Sequence, residues 1–203
     1  MALLFANNNS LSAISAKPSG LSGGSMNLIS TQTASSSSTI SFTSGIDSTY
    51  DEYVFKFYDI HPSASANLEF NATTDGTNYN IVKTSTAFYT THRENGSGGA
   101  LGYSGVDEAQ ATGFQQLTTG DNVATDNDGS IVGNLHIFNP SNTTFVKHFI
   151  SKTNFMGVDG SNKSSNSGYV AGYFNITSAL TGFQFKIRSG NIDSGVIKLY
   201  GVS

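Results

Sequence analysis

The sequence contains no cysteine and no tryptophan, and only three of its 203 residues are proline. Without cysteine, the chain has no disulfide framework, no thiolate nucleophile and no cysteine-based zinc site. Charged residues make up 12% of the chain, about half the usual share for a globular protein. The formal net charge of −4 argues against nucleic acid or an anionic membrane as a partner, because both repel a negatively charged protein.

Long hydrophobic runs are also absent. The apolar stretch at the start of the chain is short and follows no basic residues, so it does not resemble a secretory signal. Nowhere does an apolar run approach the roughly 20 residues of a membrane-spanning helix. We therefore expect a protein made in the cytoplasm that reaches any extracellular site by release rather than by secretion.

Small polar residues and glycine dominate what is present. The sequence has 30 Ser, 21 Thr, 19 Asn and 22 Gly, together 92 of 203 residues. These residues are poor helix formers, whereas the 14 Phe and 9 Tyr suit half-buried strands. This composition excludes an all-α protein and predicts an all-β fold.

The strongest strand pattern covers residues 49–60. Tyr53, Phe55 and Phe57 alternate with Val54, Lys56 and Tyr58, which predicts a central strand that is nearly buried on both faces. Two later segments also alternate, so Phe183, Phe185 and Ile187, and likewise Ile197 and Leu199, are expected to face the core. Eight to ten such strands predict an antiparallel two-sheet sandwich, jelly-roll-like, over residues 25–203.

Turn residues indicate how neighbouring strands are connected. Segments 25–33 and 38–44 could pair as a hairpin, and 66–84 is a second hairpin candidate with Asp75 and Gly76 near its tip. Two strands around residues 133–153 are expected to join through a compact turn at Pro140. Segment 106–117 is the only plausible helical turn, and the polar stretch 155–168 is expected to be a mobile loop.

Residues 1–24 differ from the rest, because their apolar residues follow no regular period. They therefore predict an extended N-terminal arm rather than a helix or strand. Such an arm cannot bury its own apolar side chains and needs a surface to lie on. We expect it to clamp a neighbouring subunit, most simply in a closed homo-oligomer such as a trimer. The candidate interface residues are Leu3, Leu4, Phe5, Leu11, Ile14 and Leu21.

Residues capable of catalysis are few. His136 and His148 lie in predicted strands and could be metal ligands, although surface or interface histidines are the preferred interpretation. Asp126 and Asp128 resemble the middle of a calcium loop, but Ala124 and Leu135 stand where the first and last ligands are required. No nucleophile elbow or phosphate-binding loop occurs. The sequence thus predicts no catalytic residues, no metal and no cofactor, and therefore a protein that is not an enzyme.

Aromatic residues near predicted loop ends are the remaining candidates for binding. Phe88, Tyr89, Tyr103 and Phe155 could stack on sugar rings of a host glycan. The alternative is that they cover the ends of the sandwich.

Five stretches of the sequence resemble a family of short structural proteins of tailed bacteriophages from marine and freshwater bacteria. They are residues 33–63, TGFQQL (112–117), LHIFNPSNTTFVKHF (135–149), AGYFNITSAL (171–180) and FKIRSGNIDSGVIKLYGVS (185–203). The N-terminal segment is also similar to the arm of that family. The resemblance implies a virion location, with the major capsid protein or other virion proteins as partners. It transfers no catalytic residue.

We expect a non-enzymatic capsid decoration or cement protein, clamped by its arm. The alternative is a tail or head fibre component that binds host surface glycans through its loops. The two differ in copy number, since a cement protein is expected in near-stoichiometric amount with the shell protein and a fibre component in far smaller amount.

Overall fold

The computed structural model describes residues 26–202, which form two antiparallel β-sheets and contain no helix. The all-β prediction is therefore confirmed. In chain order the strands are β1 (Met26–Thr33), β2 (Ile40–Phe42), β3 (Glu52–Pro62), β4 (Leu68–Thr73), β5 (Lys83–Arg93), β6 (Gly99–Tyr103), β7 (Gln115–Gln116), β8 (Asn122–Val123), β9 (Ile131–Phe138), β10 (Lys147–Asp159), β11 (Asn162–Phe174), β12 (Gly182–Ile187) and β13 (Ile192–Val202). The predicted arm, residues 1–24, lies outside the described residues.

The larger sheet has nine strands in the order β1-β13-β3-β9-β10-β11-β5-β6, with β8 paired to one end of β10. The smaller sheet has the order β2-β12-β4-β7. The two sheets together make a sandwich, and the jelly-roll-like connectivity remains a prediction. No helix that could span a membrane occurs among residues 26–202.

An aromatic core joins the two sheets. Phe55 of β3 lies 5.3 Å from Phe183 and 5.0 Å from Phe185 of β12, measured between ring centroids. Phe70 of β4 makes an edge-on contact with Phe149 of β10 at 5.2 Å. The predicted inward positions are confirmed, because all of them are buried: Tyr53, Phe55, Phe57, Phe183, Phe185, Ile187, Ile197 and Leu199.

The predicted central position of β3 is confirmed, but its second face is only partly covered. The strand pairs with β13 on one side and β9 on the other. Val54 is buried, whereas Tyr58 on the same face is exposed. This face points away from the smaller sheet, which explains why burial on it is incomplete.

Residues 155–168 form a regular hairpin, so the prediction of a mobile loop there is wrong. Strands β10 and β11 pair without interruption from Lys147↔Phe174 to Asp159↔Asn162. Serine and asparagine gave this segment the composition of a loop, but Ser164 and Asn166 are buried and hydrogen-bonded on its inner side. The predicted pairing of the strands around Pro140 is confirmed, as β9 and β10 are antiparallel neighbours.

Two predicted hairpins are wrong because each pair of segments is divided between the sheets. Strand β1 pairs with β13, whereas β2 pairs with β12. Likewise β4 belongs to the smaller sheet and β5 to the larger. Asp75 instead closes a local turn, in which its carboxylate accepts hydrogen bonds from the backbone N–H groups of Thr77 and Asn78.

The helical turn predicted for residues 106–117 is also wrong. Strand β7 occupies part of this segment, and the rest is turn and extended chain. Its backbone is bonded to neighbouring strands instead, because Lys83 N donates to Ala111 O at 2.9 Å and Leu117 N to Leu68 O at 2.8 Å. Tertiary hydrogen bonds therefore replace the helical ones.

Candidate functional site

The outer face of the nine-stranded sheet, which points away from the smaller sheet, carries a distinctive set of charges. Lys56, Lys152 and Lys198 stand on it, and in the described part of the chain none of them forms an ion pair with a carboxylate. The other lysines and arginines of residues 26–202 either pair with acids or, for Lys83 and Lys147, are buried. Unpaired positive charge is thus concentrated on one face of an acidic protein.

Each of these three lysines lies over a tyrosine ring on a neighbouring strand. The distances from Nζ to the ring centroid are 5.5 Å for Lys56 over Tyr200, 5.4 Å for Lys152 over Tyr169 and 5.3 Å for Lys198 over Tyr58. Such contacts attract the ammonium group to the negative face of the ring. They also hold the lysine side chain close to the sheet while its N–H donors remain available to a ligand.

A cross-strand groove runs over the outer face at strands β10, β11 and β5. We define it by two adjoining cavities of about 480 and 280 Å³, which share Thr86, Ile150 and Ala171 as lining residues. These three residues stand side by side, since Ile150 pairs with Ala171 and Ala171 with Thr86. The small side chains of Thr86 and Ala171 leave the sheet surface low at this position and so form the floor.

Aromatic and basic side chains form the two walls of the groove. On one side, the ring centroids of His148 and Tyr173 are 5.9 Å apart. On the other side, Tyr169 lies between the ammonium group of Lys152 and the ring of Phe88, which stacks on it at 4.6 Å and 7°. Histidine at position 148 and lysine at position 152 are four residues apart on β10, a separation of about 13 Å along an extended strand.

The four aromatic residues predicted to contact glycans do not lie on one surface. Phe88 and Tyr103 face each other on β5 and β6 and are both exposed on the outer face. Tyr89 points to the opposite side of β5, where its ring lies near Gly120. Phe155 is only 2% exposed and packs in the core, so its inclusion among exposed loop residues is wrong.

The histidines of the predicted strands have separate partners. His136 Nδ1 is hydrogen-bonded to the carboxylate of Glu52 of β3, and His148 lies against Tyr173 in the wall of the groove. Within the described ranges, no three His, Cys, Asp or Glu side chains are close enough to hold a metal ion.

Asp126 and Asp128 both bind Lys163. Its Nζ lies 2.6 Å from Asp126 Oδ2 and 2.9 Å from Asp128 Oδ2. The hydrogen bond from Lys163 lowers the pKa of Asp126, and these two bonds raise the pKa of Lys163. Gly129 N donates to Asp126 O at 2.8 Å, which closes a turn at this point.

Two buried lysines were not foreseen from the sequence, because charged side chains are rarely fully buried. Lys147 donates to the backbone carbonyls of Phe145, Ile176 and Thr177, which satisfies all three of its N–H groups. Lys83 donates to the carbonyls of Ile81 and Gly113. Burial lowers the pKa of both ammonium groups, that of Lys83 to about 8.

The chain was compared with family models, curated proteins and solved structures. None of these three comparisons found a match.

Proposed function

We propose that this protein is a non-enzymatic structural subunit of a bacteriophage particle, a capsid decoration or cement protein clamped to its neighbours by residues 1–24. The sequence resemblance to phage structural proteins supports a virion location. The same proposal includes contacts with further copies of this chain in a homo-oligomer and with the major capsid protein of the virion. The observation that carries it is the character of the two edges of the nine-stranded sheet.

Both edge strands of this sheet are uncharged. Strand β1 has the sequence MNLISTQT and strand β6 the sequence GALGY. Soluble proteins usually protect a sheet edge with charged residues or proline, because an unpaired edge can pair with another chain. Leu28 on β1 is 56% exposed and Leu101 on β6 is 74% exposed. Among the described strands, β1 and β6 each have a partner on one side only, and each carries an exposed leucine that a neighbouring subunit can bury.

The position of β1 also supports a clamping arm. Strand β1 begins at Met26 and is the outermost strand on its side of the sheet. Residues 1–24 therefore precede a strand that, among residues 26–202, has a partner strand on one side only. Their six large apolar residues would each contribute roughly 1.5–3 kcal/mol if buried on a neighbour.

The experiment compares the full chain with a variant that lacks residues 1–24. We expect the truncated protein to keep its circular dichroism spectrum, because the core lies within residues 26–202, but to lose oligomerisation and attachment to particles. A full-length control carries serine at Leu3, Leu4, Phe5, Leu11, Ile14 and Leu21 and should fail in the same way. If the truncated protein assembles and attaches like the full chain, the clamp is wrong.

A second candidate function is a fibre component that binds host surface glycans. The exposed pair Phe88 and Tyr103 on the outer face favours it, since aromatic rings exposed to solvent can stack on sugars. Quantification of the protein in purified particles separates the two functions. Near-stoichiometric amounts relative to the shell protein support a cement protein, and far smaller amounts support a fibre component.

A further inference from the structure

The cross-strand groove is a shallow, open depression on the outer face of the sheet, along which an extended ligand can lie. Its cavities of about 480 and 280 Å³ adjoin and are comparable with small-molecule sites, which range from roughly 300 to 1,000 Å³. The floor and both walls are outward-facing side chains of three paired strands. A groove of this kind is held rigidly by the sheet, unlike one made of loops.

The chemistry of the walls suits sugar rings. Tyr173 and Tyr169 stand on opposite sides of the floor formed by Ala171. Lys152 and Phe88 cover the two faces of the Tyr169 ring, so Tyr169 offers only its hydroxyl group to a ligand. Tyr173 supplies the ring that packs against the C–H face of a sugar, and the hydroxyl groups of Thr84 and Thr86 can bond sugar hydroxyls.

The charge of the groove favours an acidic ligand. Lys152 lines it and has no carboxylate partner among the described residues. Strands β9, β10 and β11 place no acidic side chain on the outer face, apart from the hairpin end at Asp159. On that face, the carboxylate of Glu52 is already bound to His136. A protein of net charge −4 thus keeps an unneutralised positive charge beside two aromatic walls.

We infer that the cross-strand groove binds an acidic polysaccharide, a chain of sugar rings that carry carboxylate groups. The rings lie across the strands over Ala171 and Thr86, between the aromatic walls, and a carboxylate is bound by Lys152. The groove can bind such a chain whether the protein decorates a capsid or belongs to a fibre. A ligand of this class is typical of bacterial cell-surface glycans.

The test uses the purified full chain and oligogalacturonate of defined length, titrated by calorimetry. Neutral galactose oligomers of the same length serve as the ligand control. We expect binding of the acidic oligomer to weaken as salt is added, since salt screens the lysine–carboxylate attraction. The neutral oligomer should bind at least tenfold more weakly.

Two lysine variants form a matched pair. Lys152→Gln removes the charge in the groove, and Lys198→Gln removes an equivalent charge that lies over Tyr58, away from the groove. We expect Lys152→Gln to reduce affinity about tenfold, the scale of one lost hydrogen bond to a charged group, and Lys198→Gln to leave affinity unchanged. Ala171→Phe, which fills the floor from the solvent side, should abolish binding.

Four results would overturn the inference. These are no binding of the acidic oligomer, equal binding of the neutral oligomer, equal effects of the two lysine variants, and unchanged binding by Ala171→Phe. The alternative occupant of the groove is a second copy of the chain. Sedimentation of each variant measures its oligomeric state and so tests this alternative. If Ala171→Phe converts an oligomer into a monomer, the groove is a subunit interface instead. The arm deletion is a separate measurement, so failure of the groove and failure of the clamp can be distinguished.

Discussion

Phe57 of β3 lies edge-on against Phe185 of β12, with ring centroids 5.4 Å apart and planes inclined at 71°. Both side chains are buried, and the contact joins the larger sheet to the smaller one. Edge-to-face aromatic pairs of this kind stabilise a core beyond the area that they bury.

Phe57→Ala should therefore be strongly destabilising. Truncation of a buried phenylalanine removes its packing and leaves a cavity, and it typically costs about 3–5 kcal/mol of unfolding free energy. Urea unfolding of wild type and variant measures the difference. Phe145→Ala, at a phenylalanine that is 69% exposed, is the control and should change stability by less than about 1 kcal/mol. Near-wild-type stability of Phe57→Ala would contradict the observed burial.

The core positions could be predicted from sequence because alternation along a strand reports burial directly. Phe183, Phe185 and Ile187 occupy every second position, and each is buried as expected. The partners of strands could not be predicted in the same way. Strand β2 pairs with β12, more than 140 residues away in sequence, and no local turn signal records such a pairing.

The groove was not foreseeable for a related reason. Its shared lining combines Thr86, Ile150 and Ala171 from three strands, and only the registers of β10, β11 and β5 bring them together. The pairing of β10 with β11 was also obscured, because the polar residues 155–168 between their groove-lining parts have the composition of a loop. Of the four aromatics predicted to contact glycans, only Phe88 lines the groove. Tyr89 is the next residue on the same strand and therefore points to the opposite face.

Calcium should not stabilise the protein. The carboxylates of Asp126 and Asp128 are occupied by Lys163, and the described residues around them offer no third acidic side chain. The melting temperature measured by calorimetry should be the same in calcium and in a chelator. A rise of several degrees that is specific to calcium would show that these carboxylates coordinate the ion.

Lys83 should make stability depend on pH above neutrality. Its pKa is lowered by burial from 10.5 to about 8 in the folded protein. Between these two values the unfolded chain binds more protons than the folded chain, so the free energy of unfolding rises with pH. The full contribution is at most about 3.5 kcal/mol, since each pKa unit corresponds to about 1.4 kcal/mol.

The measurement for Lys83 compares the wild type with Lys83→Met by urea unfolding between pH 7.5 and 10. The variant should be less stable overall, because the carbonyls of Ile81 and Gly113 lose their donor. The decisive quantity is the slope of the unfolding free energy against pH, because the other titrating groups are common to both proteins. The wild type should gain stability relative to the variant as the pH rises, and parallel curves would contradict the lowered pKa.

A comparison of alanine substitutions at Gly195 and Gly76 separates the cost of backbone strain from the cost of a steric clash. Both have a positive φ, +117° and +79° respectively, so alanine is strained at either position. At Gly76 an added Cβ meets nothing within 4 Å, whereas at Gly195 it would lie 2.6 Å from Asp59 O and 2.7 Å from Ile60 Cα. Gly195 faces the backbone of β3 where the register of β13 and β3 shifts, and backbone atoms there cannot move aside without breaking pairing.

Gly76→Ala should therefore cost about 1 kcal/mol, the usual penalty for a left-handed residue with a side chain. Gly195→Ala should cost clearly more, because the clash with β3 adds to the same strain. Urea unfolding of the two variants gives both values, and amide hydrogen exchange locates the effect. Protection should fall in β13 and β3 for Gly195→Ala only. Equal destabilisation by the two variants would mean that β3 and β13 do not approach each other at this shift in register.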